Sequence, residues 1–415
     1  MKLYEDAQRI IDAALAAAQP DSAVRRALNS LPPTPGELVL VSIGKAAWQM
    51  AAAAVSALGD RIRRGVIITK YGHAGGALGN LEIFEAGHPV PDENSFRATE
   101  AAMTAVKNLR AEDRVLLLIS GGGSALFEKP LIPPEELADL TRQLLACGAD
   151  IVEINTLRKR LSAVKGGRFA ELCTPAQVFS VVLSDIVGDP LDMIASGPAH
   201  PDRSTSAQAL EIVRKYGLSL SEAALKCLSQ ETPKALNNVE SRITGSVRQL
   251  CASAAEVCRS LGYRPVALTS SLTCEAREAG SFLAAIAREH AGSSESLAFI
   301  AGGETVVHLT GHGLGGRNQE LALSAAKGLD GLPGTLLFSI GSDGTDGPTD
   351  AAGGVVTGET ASILRAKGVD LDAALADNDA YHALSACGGL IMTGPTGTNV
   401  NDLTVLLIQR SDHCD

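Results

Sequence analysis

Residues 339–354 read "SIGSDGTDGPTDAAGG" and place Asp343, Asp346 and Asp350 on one Gly-rich turn, directly after the apolar run "TLLF". Carboxylates held this close repel one another, and a plain turn needs only one of them. The turn therefore predicts a ligand. It is not an EF-hand loop, because the bidentate Glu that such a loop needs would fall at Gly354. Mg²⁺ takes one or two carboxylates and leaves its other positions to phosphates and water, a demand that Asp346 together with Asp343 would meet. Near the end, "TGPTGTNVNDLTVLLI" adds Thr398, Asn399, Asn401 and Asp402 ahead of a final strand, as another polar turn that could face a ligand.

Other turns are built in the same manner. Gly44 and Lys45 follow "ELVLVSI" and open a helical pattern, where backbone N–H groups and the helix dipole favour an anion and a lysine adds full charge. The Walker A spacing is absent, and Ala46 follows the lysine. In "SGGGSAL", Ser120, Gly121, Gly122, Gly123 and Ser124 let backbone amides approach an oxyanion closely. Leu126 stands where a serine-hydrolase elbow needs glycine. "LSDIVGDPLDMIASGP" carries Asp185, Asp189 and Asp192 after an apolar run, a placement that suits catalysis or a metal better than solvation. Upstream, Arg158, Lys159, Arg160, Lys165 and Arg168 crowd into one stretch; a solvated helix face is the plain expectation for most, and a polyanion's neighbourhood is the functional one. In "GGETVVHLTGHGLGGRNQE", Glu304 sits at a Gly-Gly turn and Arg317-Asn318 begins a helix, presenting a guanidinium suited to phosphate or carboxylate. The formal G-x-G-x-x-G at Gly311, Gly313 and Gly316 lacks the strand and later acid of a dinucleotide site. His308 and His312 lie across a strand end and share no helix face, against a zinc pair.

These turns need a scaffold, and the pattern supplies one. Short β-rich runs such as "RVLLLIS" and "QVFSVVL" alternate with helical stretches such as "PPEELADLTRQLLACG", which predicts an α/β class with a parallel sheet and binding loops at strand C-terminal ends. A polar stretch at 229–245 marks a boundary, giving domains 1–238 and 239–415. "LAFIAGGETVVHLTG" reads as a hairpin, so the second domain is expected to be mixed.

At 415 residues, 45% hydrophobic and 20% charged, the chain is an ordinary globular protein. A net charge of −11 and 3% aromatic residues argue against nucleic acid. No apolar run is long enough to span a bilayer. "MKLYEDAQRIIDAALAAA" reads as an amphipathic helix rather than a secretory signal. The eight cysteines form no C-x-x-C pair, and Cys251 and Cys258 share a helix face as small buried residues, so the expected compartment is a reducing cytoplasm.

In order along nearly the whole chain, "SIGKAA", "GHPVPDENS", "SGGGSAL", "INTLRKRLSAVKGGR", "SDIVGDPLDMIASGP", "GGETVV", "GGRNQE", "GSDGTDGPTDAAGG" and "TGPTGTNVNDL" resemble the glycerate 2-kinase family, whose C-terminal part is called the MOFRL domain. The resemblance implies a Rossmann-like N-terminal domain and a smaller mixed α/β MOFRL domain. It implies ATP-dependent, Mg²⁺-assisted phosphorylation of D-glycerate at its 2-hydroxyl, in a cleft that Lys45 and Arg317 face. Cys274 departs from it, standing where the family usually has glycine.

Phosphoryl transfer supplies the expected roles: cations to neutralise developing charge and a carboxylate to orient the acceptor hydroxyl. Asp189, with Asp185 beside it in sequence, is the expected carboxylate. Lys45 and Arg317 are the expected cations, on the phosphoryl group or the glycerate carboxylate. Gly44, Ser120–Ser124, Glu304 and Asn318 are expected at the nucleotide, and Asp185, Lys165 and Asn399 at the substrate. A homodimer is the oligomer held open. The alternative is an NAD(P)-dependent hydroxypyruvate reductase, a label some members of the family carry. It would need a proper G-x-G-x-x-G after the first strand, where the chain reads "SIGKAAWQ".

Overall fold

The computed structural model describes residues 2–410, and strand, turn and helix alternate through most of them. The chain divides into two units: one is Pro20–Thr244, the other joins the segment up to Gln19 to the chain from Gly245 onward. The expected division at 238 thus needs two changes. The strand Val239–Gly245 belongs to the first sheet, and the N-terminal helix groups with the later residues. That helix, Lys2–Ala18, buries Ile10, Ile11, Ala14 and Ala18 and packs on helix Val247–Ser260. Tyr263 donates its hydroxyl to Asp6 (2.9 Å), and Thr398 donates to the carbonyl of Ala18 (2.8 Å), so the end of the helix is held as well as its face.

The sheet of the first unit contains β1 (Leu38–Ile43), β2 (Ile62–Lys70), β3 (Leu81–Ala86), β4 (Arg114–Ile119), β5 (Gln177–Leu183) and β6 (Val239–Gly245), in the order β3-β2-β1-β4-β5-β6. The run from β3 to β5 is parallel. All of β1 is buried, as is β4 beyond Arg114, which is why both read as unbroken apolar runs. Val41, Ile68, Leu117, Phe127 and Val182 share one core, and each such side chain contributes roughly 1.5–3 kcal/mol on burial. The order reverses between β1 and β4. Loops leaving those two strands diverge there, the place where open α/β sheets bind ligands. The expected Rossmann-like sheet is present.

The second unit holds β7 (Arg264–Leu272), β8 (Leu297–Gly303), β9 (Thr335–Gly341), β10 (Gly353–Thr357), β11 (Leu390–Ile391) and β12 (Asp402–Ile408), in the order β11-β10-β9-β12-β8-β7. Only β7–β8 is parallel, so this sheet is mixed, as expected. The expected hairpin at 297–311 does not form. Both edges of β8 are already taken, by β7 and β12, and after Gly303 the chain leaves the sheet with a single bridge from Val306 to Glu275. Leu283, Leu321, Leu337 and Leu406 belong to this unit's own core.

Candidate active site

In the first unit, the loops after β1 and β4 are bonded to each other. The Lys45 amide donates to the Gly121 carbonyl (2.8 Å) and the Ser120 amide to the Ile43 carbonyl (2.9 Å). The Ser120 hydroxyl donates to that same carbonyl (3.2 Å) and accepts from the Ala46 amide (3.1 Å). Ser120, expected at the nucleotide, is therefore a buried latch between loops. Gly44 sits at φ +111°, and a Cβ there would come within 2.3 Å of the Ser120 hydroxyl. Glycine is required at 44 for contact rather than for anion approach. The helix expected from Gly44-Lys45 begins at Ala47, so Lys45 lies on the loop. Its ammonium is exposed and makes no hydrogen bond or ion pair among the described residues.

Three groups converge on the same turn. A Cβ on Gly122, which has φ +86°, would meet Lys45 Cγ at 3.1 Å and His88 Cδ2 at 3.0 Å. A Cβ on Gly121 would lie 2.1 Å from Asp185 Oδ2. The turn is glycine because a lysine stem, an imidazole and a carboxylate crowd against it. Burial, then the charges of Lys45 and Lys70, lower the His88 pKa and keep the ring neutral near pH 7. Asp189 follows on the Asp185 loop with φ +54°, and Ala195 and Ser196 are also left-handed, at +51° and +58°. Such conformations cost non-glycine residues energy and cluster at functional sites. Ser124 shares a hydrogen bond with Ser196 (3.0 Å), which in turn donates to Asn155 (3.0 Å).

Lys165 does not stand with these groups as a substrate contact. Its ammonium is fully buried, paired with Glu128 (2.7 Å) and donating to the Phe127 carbonyl (2.8 Å). Arg160 and Lys159 are likewise buried, on Asp202. The basic stretch is largely internal, so neither a solvated face nor a polyanion surface describes it.

In the second unit, Arg317 opens helix Arg317–Leu329 and grips Asp402 at the start of β12, while its Nη1 lies 3.1 Å from Glu304. Burial works against the guanidinium's charge, but the bonds to Asp402 and the charge of Glu304 hold its pKa above the ordinary value. Glu304 also accepts from Asn401 (3.2 Å), and Asn399 accepts from the Asn401 amide (3.4 Å). Glu304 and Asn399, expected at nucleotide and substrate, thus sit in the polar turn around Arg317.

The acids of the "SDGTDGPTD" turn go three ways. Asp346 accepts from the Asn318 amide and side chain (both 3.2 Å) and from the Gln319 amide (2.9 Å), capping helix Arg317–Leu329 from outside its own segment. Gly316 makes this possible, because a Cβ there would come within 2.3 Å of Asp346 Cγ. Asp343 turns back on Thr345 (3.0 Å), and Asp350 accepts from Tyr381 (2.8 Å). Among the described residues no group of three or more His, Cys, Asp or Glu is placed to hold a metal ion. Asp343 and Asp346 do not fit the expected metal pair, since the Asp346 carboxylate serves the amides of helix Arg317–Leu329 and the Asp343 carboxylate turns to the Thr345 amide. Asn318, expected at the nucleotide, instead holds Asp346 and accepts from Ser339 (2.6 Å).

One residue escaped the residue-by-residue reading: His88 lies in "GHPVPDENS", and its approach to the same glycine turn as Lys45 crosses a sequence distance that spacing cannot register. Asp402 was expected to face a ligand, and its pairing with Arg317, 85 residues away, was not.

Two family descriptions match the chain, "Domain of unknown function (DUF4147)" over residues 6–229 and "MOFRL family" over residues 297–402. A protein of Thermotoga maritima named D-glycerate 2-kinase is 53% identical over 405 residues, 96% of this chain and 97% of its own length. A protein of Agrobacterium vitis named putative hydroxypyruvate reductase is 41% identical, over 97% of this chain and 93% of its own. The crystal structure of glycerate kinase from Thermotoga maritima matches with a TM-score of 0.94 at 52% identity, over 98% of this chain and 99% of that one.

Proposed function

We propose, for a chain that belongs to the glycerate 2-kinase family, transfer of the terminal phosphoryl group of ATP to the 2-hydroxyl of D-glycerate, giving 2-phosphoglycerate and ADP. The observation that carries this reading is Lys45. An exposed ammonium without a partner among the described residues stands at the reversal of strand order, beside the Gly121–Gly123 turn, against which the Asp185 carboxylate also lies. Phosphoryl transfer needs such a cation against the developing charge and an acid to orient the attacking hydroxyl. We assign the first task to Lys45. The second goes to Asp185, which lies against Gly121, with Asp189 on the same loop. The Gly121–Gly123 turn is assigned to nucleotide phosphates. Arg317 keeps part of its fork for a reactant anion: three of its five N–H groups are engaged by Asp402 and Glu304. Glu304, Asn318, Asn399 and Lys165 support these groups and need not touch a reactant.

Mg²⁺ is part of this reading as an ion that neutralises phosphate charge and arrives on the nucleotide's own oxygens. No step is assigned to a protein-held metal, because the acids expected to hold one are engaged elsewhere. A homodimer and a cytoplasmic location complete the reading; light scattering of the purified protein checks the first. No described helix is long and apolar enough to cross a membrane.

Phosphorus NMR of the product formed from D-glycerate and ATP tests the reaction and its regiochemistry together. A 3-phosphate, or no product, overturns it. The reductase alternative lacks its glycines at "SIGKAAWQ". Absence of NADH or NADPH oxidation at 340 nm with hydroxypyruvate is the expected result.

A further inference from the structure

Beside the glycine turn of the first unit lies a cavity of about 570 Å³ whose walls include Pro89, Val90, Phe96, Leu137 and Leu145. A three-carbon acid would leave most of that space empty, and its hydroxyls and carboxylate would face hydrocarbon. The cavity also has a polar floor. Glu128, 3% exposed, lines it and gives one carboxylate oxygen to Lys165, while the other, Oε1, is buried without a hydrogen-bond partner. A buried carboxylate oxygen left unpaired bears its desolvation penalty uncompensated, so a donor brought by a ligand would be favoured. Arg158 lines the same space within electrostatic reach of Glu128, and its guanidinium makes no hydrogen bond or ion pair among the described residues. A planar guanidinium not held by hydrogen bonds can lie over an aromatic ring. His88, Gly122 and Ser124 line the cavity on the side of the Lys45 loop.

We propose that this cavity takes the nucleoside of ATP: the base between the apolar walls and the Arg158 guanidinium, an N–H or O–H of base or ribose on Glu128 Oε1, and the phosphates leaving past Gly122 toward Lys45. The volume suits a nucleoside, the walls suit a flat apolar ring, and the unpaired carboxylate oxygen suits its donors. The inference rests on the kinase reading, to which it adds the position of the nucleotide.

Ala138 lies on the cavity wall and is exposed, so Ala138→Trp fills the space without disturbing a core. Calorimetric titrations with ADP, adenosine and D-glycerate, on wild type and Ala138→Trp with matched melting temperatures, decide the matter. ADP and adenosine should weaken by about tenfold or more, and D-glycerate should bind as before. Unchanged ADP affinity in the folded variant overturns the inference while leaving the kinase reading intact. Loss of D-glycerate affinity alone overturns it in favour of the acid. If wild type neither binds ADP nor phosphorylates glycerate, both readings fall.

Discussion

Arg317 and Asp402 meet as a fork on a fork: Nε donates to Oδ2 at 2.6 Å and Nη2 to Oδ1 at 2.9 Å. Asp402 is 5% exposed, so it would be an uncompensated buried carboxylate without its partner. Arg317→Ala should therefore do two things. Loss of a phosphoryl-transfer arginine commonly lowers kcat on the order of 10³-fold. Loss of one member of a buried pair costs about 3 kcal/mol. Asp402→Asn should show the same direction in both, because it frees the guanidinium to move. Urea denaturation and steady-state kinetics on each variant check this; a variant with full activity removes Arg317 from the reaction.

Lys45 should behave differently. Its ammonium has no partner among the described residues, so Lys45→Met should leave stability within about 0.5 kcal/mol. Its kcat/KM should fall on the order of 10³-fold. A melting curve and a rate measured on the same sample separate a chemical role from a structural one.

Gly121→Ala would set a methyl group 2.1 Å from Asp185 Oδ2. The carboxylate must move, and misplacement by an ångström at a reacting centre costs about 10²-fold in rate. Moderate stability loss with a large drop in kcat is expected. A variant of normal kcat would show that Asp185 tolerates displacement and so does not orient the acceptor.

Burial raises the Asp346 pKa to about 6, against hydrogen bonds from the Gln319 and Asn318 amides that lower it. A folded-state pKa above the unfolded value favours the folded protein at low pH. That contribution is complete below about pH 4 and is lost as pH rises through about 6. Asp346→Asn removes the titration, so the wild-type advantage over the variant should shrink between those limits and stay flat above them. At neutral pH the variant also loses charged acceptors for the helix amides, about 1–2 kcal/mol. Its Mg²⁺ requirement for turnover should stay as in wild type. A raised requirement that excess Mg²⁺ rescues would restore the metal role.

The glycine turns were legible because close approach leaves no other residue possible: Gly44 and Gly121 are where a side chain would strike Ser120 or Asp185. The unbroken apolar runs of β1 and β4 announced a sheet covered on both faces. Direction was not legible. Asp343, Asp346 and Asp350 share a turn in sequence, yet their carboxylates serve Thr345, helix Arg317–Leu329 and Tyr381. Lys165 looked like one more cation of a basic stretch, and only the fold encloses it with Glu128. The stripe of Ile10, Ile11 and Ala14 revealed a buried helix face, but a stripe does not say which later element covers it.

Helix Lys2–Ala18 leaves the ribosome well before the helix that covers its apolar stripe, Val247–Ser260, which follows roughly 230 residues later. At about 5–20 residues per second, the nascent chain carries that stripe uncovered for roughly ten to fifty seconds. Pro20–Thr244 is complete at the end of that interval and can fold as a unit while the chain from Gly245 onward is made, whereas the other unit, which needs segments on either side of it, forms later.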